Sequence, residues 1–399
     1  NKFSVGGELS TGRTFSFIPT YDMGDRVNTL ATLTEGRNDE NVYLIENTTT
    51  YEKVFNNVHK LTALLGFSQQ KAWAAGTSVT VRNFQSNDLR TVEAGFEQRD
   101  ISGAETGWAM RSQIGRLNYT YDNRYNVMAV VRRDGSSRFG SNNRYGVFPS
   151  ISASWNISNE SFFNSPTISA LSLRASYGKV GSQDISNFAQ YAVISSDVNY
   201  IFGTAQELTP GASYLNMGNP DLKWEVTTQT NIGIDLSLFN RSLSFTLDYY
   251  IKNTDDVLVQ LPIATTSGIR RTNRPFVNAG SLQNKGVELA INYQNTAVGG
   301  QLLYNLAGNI STNKNRVTSL NAGQPIIAQL NSGKQSAFTI TREGGEIGAF
   351  YGYVMEGIFK DADDLAKHAT QAGSAPGDVK FKDLDGIGVI NALDQTVIV

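Results

Sequence analysis

The sequence predicts an all-β protein: an antiparallel up-and-down transmembrane β-barrel, present in part, with long extracellular loops and short periplasmic turns. Three observations lead there. Short segments of period-two alternation recur along the chain. Their connections are alternately tight (near residues 9–12, 53–57, 122–124, 158–169, 239–241 and 295–300) and long (near 21–41, 69–109, 133–146, 178–225, 252–285 and from 311 onward). And no apolar run of about 20 residues occurs, as a membrane helix would need, whereas a barrel strand needs none because half of its side chains face water.

The strands can be justified in chain order. Asn1-Lys2-Phe3-Ser4-Val5 reads as strand, not as the basic start of a signal peptide. Leu117, Tyr119 and Tyr121 lead through Asp122-Asn123, a pair that tolerates the left-handed backbone of a hairpin, into Tyr125, Val127, Ala129 and Val131. Val147, Pro149, Ile151, Ala153, Trp155 and Ile157 make the next run. Ile232, Ile234, Leu236 and Leu238 alternate with polar or small residues, turn at Asn240-Arg241, and continue as Leu243, Phe245, Leu247, Tyr249 and Ile251. Val287, Leu289, Ile291 and Tyr293 precede Leu302, Tyr304, Leu306 and Ile310. The reading expects about twelve strands, most of about 9–12 residues, close to the length that crosses a bilayer at a tilt. Tyr51, Tyr121, Tyr125, Tyr249 and Tyr250 near strand ends suggest an aromatic girdle at the headgroup level.

Composition narrows the function. The 399 residues are read as one barrel domain over 1–399, a piece of a longer protein cut at both ends. A net charge of −2, with 34 basic and 36 acidic residues and no basic run, gives a nucleic-acid partner no electrostatic support. Without cysteine there is no disulfide or thiolate chemistry. His59 and His368 are the only histidines, no phosphate-cradling glycine loop opens a helix, and the chain is not expected to be an enzyme.

The sharpest chemical motif is Asp383-Leu-Asp385-Gly-Ile-Gly-Val-Ile-Asn391-Ala-Leu-Asp394. Carboxylates at positions 1, 3 and 12, Gly388 at position 6 and Asn391 at position 9 outline a calcium loop. Ile387 at position 5, and an aspartate where a bidentate glutamate is usual, weaken the ligand set. The other reading is a turn closed by side-chain-to-backbone hydrogen bonds. Arg133-Asp-Gly-Ser-Ser-Arg138 reads either as a polar contact for a ligand at the barrel mouth, with Arg138 the candidate, or as a loop pinned by its own charge pair. Among the aromatics of the long connections, Trp108, Tyr214, Tyr351 and Tyr353 are candidates for contact with a ligand or a lid, whereas Trp224 suits packing.

Several stretches, taken together, carry a resemblance: Leu117–Tyr125, Arg133–Gly140, Asn143–Ser150 running into Ser154-Trp155, Leu173–Gly178, Gly218–Glu225, Asn278–Ser281, Asn284–Leu289, Gly348–Tyr353 and Pro376–Asp383. In this order they resemble the SusC/RagA family of TonB-dependent outer-membrane transporters, over nearly all of the chain and least before residue 40. The resemblance implies a barrel of about 22 strands around a plug. It implies a SusD-like surface lipoprotein as lid, TonB acting through a plug region not in this chain, and import of oligosaccharides or peptides. A passive porin or structural barrel without energy coupling is the alternative, and a soluble β adhesin or propeller the third reading. A propeller would show a repeat of roughly 40–50 residues, and none is present.

Overall fold

A computed structural model describes residues 1–195, 198–204, 206–260, 274–297, 301–320, 325–328 and 339–398, with the single residues 266, 299 and 323. The main sheet holds eleven long strands in chain order: β1 (Lys2–Ile18), β2 (Thr32–Phe55), β3 (His59–Phe84), β4 (Gly95–Tyr121), β5 (Tyr125–Ser136), β6 (Tyr145–Asn156), β7 (Ile168–Ser182), β8 (Glu225–Leu238), β9 (Leu243–Asp255), β10 (Gly280–Ala297) and β11 (Leu302–Leu320). The chain divides into two units. The first comprises residues 1–164, 176–193 and 218–224; the second comprises 165–175, 194–217 and 225–399.

In the first unit β1 to β6 pair antiparallel, each with the next. The tight turns use the residues expected to tolerate positive φ: Asn56 and Asn57 at 49° and 60°, Asp122 and Asn123 at 49° and 54°. In the second unit β8 pairs with β9, β9 with β10 and β10 with β11. Its tight turn at Phe239, Asn240 and Arg241 again has positive φ throughout.

Register explains the two faces. Ile234 faces Leu247, which faces Leu289, which faces Ile310, so apolar side chains lie side by side across four strands. Ile234, Leu247 and Ile310 are all exposed. In the first unit Leu65, Leu117, Val131, Val147 and Ile151 are likewise exposed, on strands whose alternate positions bury Ser112, Asp134 and Ser136. Apolar side chains outside and polar ones inside invert the pattern of a water-soluble sheet and suit a lipid-facing surface around a hydrated interior.

Two expectations need correction. There is no turn at 9–12: β1 runs unbroken through it, paired with β2 from Lys2 to Ile18, and the eleven strands of the main sheet agree with the about twelve expected. The expected long joints at 21–41 and 69–109 are mostly strand. β2, β3 and β4 reach 24, 26 and 27 residues, and only 85–94 joins β3 to β4. These extensions are rich in Gly, Thr, Ala and charged residues because a strand in water on both faces has no apolar face to alternate, while its ladder of backbone hydrogen bonds remains. Trp108 therefore lies on β4, opposite Ala72 of β3, and not in a loop. A small core of Ala31, Leu33, Val81 and Phe84, with Phe17 packed on it, closes the far end of these long strands.

Beyond β11, described residues 349–353 and 395–397 pair as short strands, as do 355–358 and 379–381. One short helix (Ala362–Lys367) is capped by Asp361, whose side chain accepts from the Asp364 N–H. No described helix is long and apolar enough to cross a membrane.

Candidate functional site

The end of the first unit opposite its tight turns carries the most organised side-chain arrangement. The segment 137–144 between β5 and β6 packs under residues 183–192 and 218–224. Phe139 is fully buried. Its ring lies 5.1 Å from that of Trp224, whose other neighbour is Phe148 at 5.4 Å. The Trp224 indole N–H donates to the Arg144 carbonyl. A Cβ on Gly140 would meet the Pro220 carbonyl oxygen at 2.4 Å, and one on Gly218 would meet Tyr191 and Ala192 backbone at 2.3 Å. Glycine at both places is therefore a requirement of close backbone approach.

Arg138 is held in this assembly. Its Nε donates to Asn187 Oδ1 at 2.9 Å and an Nη to the Gln183 carbonyl at 3.0 Å, with the guanidinium 5.5 Å from the Trp108 ring centre. Asp134 accepts both its bonds from Arg132 Nε. So the Arg133–Arg138 segment is tied down by its neighbours, and Arg138 and Trp108 are brought together there. Tyr214, by contrast, is well exposed on the short strand Ser213–Asn216. Tyr353 is stacked on Phe381 at 5.0 Å, and Tyr351 is paired with Val397. Trp224, read from sequence as a packing residue, is a packing residue.

In the second unit the polar face centres on Arg174. Its guanidinium donates to Asp235 at 2.6 Å and to Asp248 at 3.2 Å, and Ser172 and Thr246 complete the hydrogen bonds of Asp235. Such a charge-paired ladder suits a hydrated wall, since in a dry core each ion would cost several kcal/mol to desolvate. Tyr250, expected in the girdle, instead is buried and donates to Asn313 Oδ1. Alternation put Tyr249 outside and therefore Tyr250 inside.

Aromatic rings gather at the tight-turn end of the first unit, where the girdle is expected. Tyr121, Tyr125 and Trp155 stack in sequence, each pair 6.3 Å apart, and the His59 ring packs 5.0 Å from Tyr121 and hydrogen-bonds Tyr119. Glu160 sits beneath them. It accepts from the Tyr125 hydroxyl at 2.6 Å, Trp155 Nε1 at 2.9 Å and Arg124 at 3.0 Å. The Tyr125 hydroxyl first, then the indole N–H and the arginine, hold its carboxyl below the usual glutamate range. Sequence reading missed Glu160. The only signal was an acidic residue five positions after the girdle's Trp155.

The Asp383 loop brings carboxylate oxygens of Asp383, Asp385 and Asp394 within 4.8 Å of one another. Each is already used by backbone N–H groups. Asp383 accepts from Gly386 and Gly388, Asp385 from Ile387, and the buried Asp394 from Asn391, Leu384 and, at longer range, Asp385. The Asn391 N–H foremost keeps the Asp394 carboxyl low. Asn391 turns its side-chain oxygen to Leu393 N–H as a cap. The three carboxylates lie close enough together to reach one cation, while Asn391 is committed to the turn.

Strands with an apolar outer face, a polar inner face, an aromatic belt at the tight-turn end and long connections at the other define an outer-membrane β-barrel segment. The family model described as "TonB dependent receptor-like, beta-barrel" matches residues 1–378. The chain belongs to that family, a family of outer-membrane transport barrels and not of enzymes. It is 36% identical over 370 residues to TonB-dependent receptor P3 of Formosa agariphila, covering 91% of this chain and 36% of that protein. It is 37% identical over 230 residues to TonB-dependent receptor SusC of Bacteroides thetaiotaomicron, covering 55% of this chain and 22% of that protein. Among solved structures, the RagAB peptide transporter matches over 99% of this chain and 41% of that chain, with a TM-score of 0.81 and 26% identity. The SusC/RagA resemblance read from the motifs thus holds. The chain spans 22–36% of the length of the curated relatives it matches.

Proposed function

We propose that the protein containing this barrel segment imports oligosaccharides or peptides across the outer membrane, energised by TonB through a plug region, with a SusD-like surface lipoprotein as its lid. The observation that supports this most is the likeness over 99% of the chain to a peptide transporter, joined to the sequence identity with SusC. On this reading residues 1–399 are barrel wall and external connections. Tyr214, exposed on its short strand, and Tyr351 and Tyr353, beside the Asp383 loop's closing strand, would meet ligand or lid, as would Trp108 and Arg138 on the first unit's rim, Arg138 being positioned by Asn187 and Gln183.

The test is purification of the full-length receptor from outer membranes through an affinity tag. A surface lipoprotein is expected to co-purify, and the pair is expected to bind a member of a glycan and peptide panel. A receptor that elutes alone and supports diffusion of small solutes without TonB would replace this reading with the passive porin. For the Asp383 loop, calcium is proposed as the ion of Asp383, Asp385 and Asp394. Added calcium should then raise the thermal midpoint of the full protein, an increase that D385N removes; an unchanged midpoint leaves a turn closed by its own hydrogen bonds.

A further inference from the structure

A cluster of cations stands on the lipid-facing side of the first unit, and no carboxylate of the described residues neutralises it. Arg111 and Arg133 are exposed on the outward positions of β4 and β5, the face that also carries Leu117 and Val131. Arg133 lies 4.0 Å over the ring of Tyr145, and its Nη1 donates to Gln113 Oε1 at 3.2 Å. Arg111 lies 5.9 Å from the Phe67 ring centre and donates to Gln69 Oε1 at 3.3 Å. Glutamine and aromatic partners orient both guanidiniums and leave their charge unspent. Neither makes an ion pair among the described residues, unlike Arg13, Arg124, Arg132 and Arg174.

Arg111, Arg144 and Tyr145 also line a cavity of about 380 Å³, together with Phe188, Tyr191 and Gln190 of the segment folded over it. Among the described residues its lining contains three arginines and no acidic residue. One of the three, Arg138, is spent on Asn187 and Gln183, which leaves Arg111 and Arg144 for an anion. Phe188 and Tyr191 are half exposed at its edge.

Height places the cluster. Arg111 lies ten residues along β4 from the girdle's Tyr121, and Arg133 eight along β5 from Tyr125. At about 3.4 Å per residue and a tilt of about 40° that is roughly 20–26 Å, the thickness of a barrel's apolar band. The cations therefore stand where the outer leaflet's headgroups begin, with exposed Phe67 and Val147 in the row of Arg133 and exposed Leu65, Val131 and Leu117 below it. Guanidinium forks match phosphate oxygens two by two, and basic pockets at a membrane surface recognise anionic headgroups.

We propose that Arg111, Arg133 and Arg144, gathered around Tyr145, form a binding site for the phosphate groups of an outer-leaflet glycolipid, whose acyl chains lie along the apolar strands below. The site anchors the barrel rim at Ser136–Tyr145 to the lipid surface. The full-length receptor, purified in detergent, is incubated with bisphosphorylated lipid A and, separately, with the same lipid enzymatically dephosphorylated, and retained lipid is measured by native mass spectrometry. The bisphosphorylated form should be retained and the dephosphorylated form retained about tenfold less or worse. R111Q/R133Q/R144Q should lose retention to a similar degree, while K60Q, which removes a cation at the opposite rim, should not. Heat-modifiable migration confirms that each variant is a folded barrel. Equal retention of both lipids, or full retention by a folded triple variant, overturns the proposal. Displacement of the lipid by millimolar inorganic phosphate alone would assign the arginines to free anions and overturn it as well.

Discussion

Replacing Trp224 with alanine is expected to loosen the rim of the first unit by about 3–5 kcal/mol, the usual cost of emptying a buried aromatic site. The effect should sit at the upper end. Trp224 is nearly buried, contacts both Phe139 and Phe148, and gives its indole N–H to the Arg144 carbonyl, so its loss opens a cavity and leaves that carbonyl with the Ser136 N–H alone. W224F keeps most of the ring contacts and should recover more than half of the loss. Limited proteolysis of the intact receptor measures it: W224A should be cut within 183–224 under conditions that leave the native protein whole. Resistance equal to the native protein would show that the aromatic cluster does not hold this segment. The same substitution should release Arg138, whose partners Asn187 and Gln183 belong to the loosened segment.

The second large effect is expected at Glu160. Three donors converge on its carboxylate, and two of them, Tyr125 and Trp155, belong to the stacked girdle. E160A should therefore lower the temperature of heat-modifiable unfolding more than Y125F or W155F, each of which removes one donor. It leaves Arg124 only Asp122, 2.8 Å away. The pH dependence has a definite sign. The folded-state pKa of Glu160 is depressed, so its stabilisation is present above the ordinary glutamate value and is lost as pH falls through the lower folded value. Between pH 7 and about 5 the midpoint should hardly change on this account; below the ordinary glutamate range, near 4.3, it should begin to fall. E160Q should flatten that part of the profile. A native-like profile in E160Q would assign the acid sensitivity to other carboxylates.

Much of the fold was legible because half of it faces lipid. Where β8 to β11 cross the apolar band, Ile234, Leu247, Leu289 and Ile310 must alternate with polar residues, and the period shows. Turns showed too, since Asp122-Asn123 and Asn240-Arg241 have the backbone freedom a hairpin demands. The extended ends of β2, β3 and β4 did not show, because with water on both sides nothing selects for alternation. Only the register of their backbone ladder identifies them as strand. The false turn at 9–12 has a related cause: Ser10, Thr11 and Gly12 are common turn residues, and only pairing with Glu40, Asp39 and Asn38 shows them to be extended.

The site divides in the same way. The Asp383 loop was visible as spacing because its contacts are local, within a dozen residues. The sequence by itself determined the class of protein, the tight turns, the outward face of the crossing strands and the packing role of Trp224, all properties of local pattern. Tertiary structure alone decided that Trp108 belongs to a strand, that Tyr250 turns inward to Asn313, that Glu160 gathers the girdle, and that Arg111, Arg133 and Arg144 form one cluster. Those facts depend on register and on contacts between segments tens of residues apart. A chain of near-balanced charge reveals no such gathering until its strands are paired.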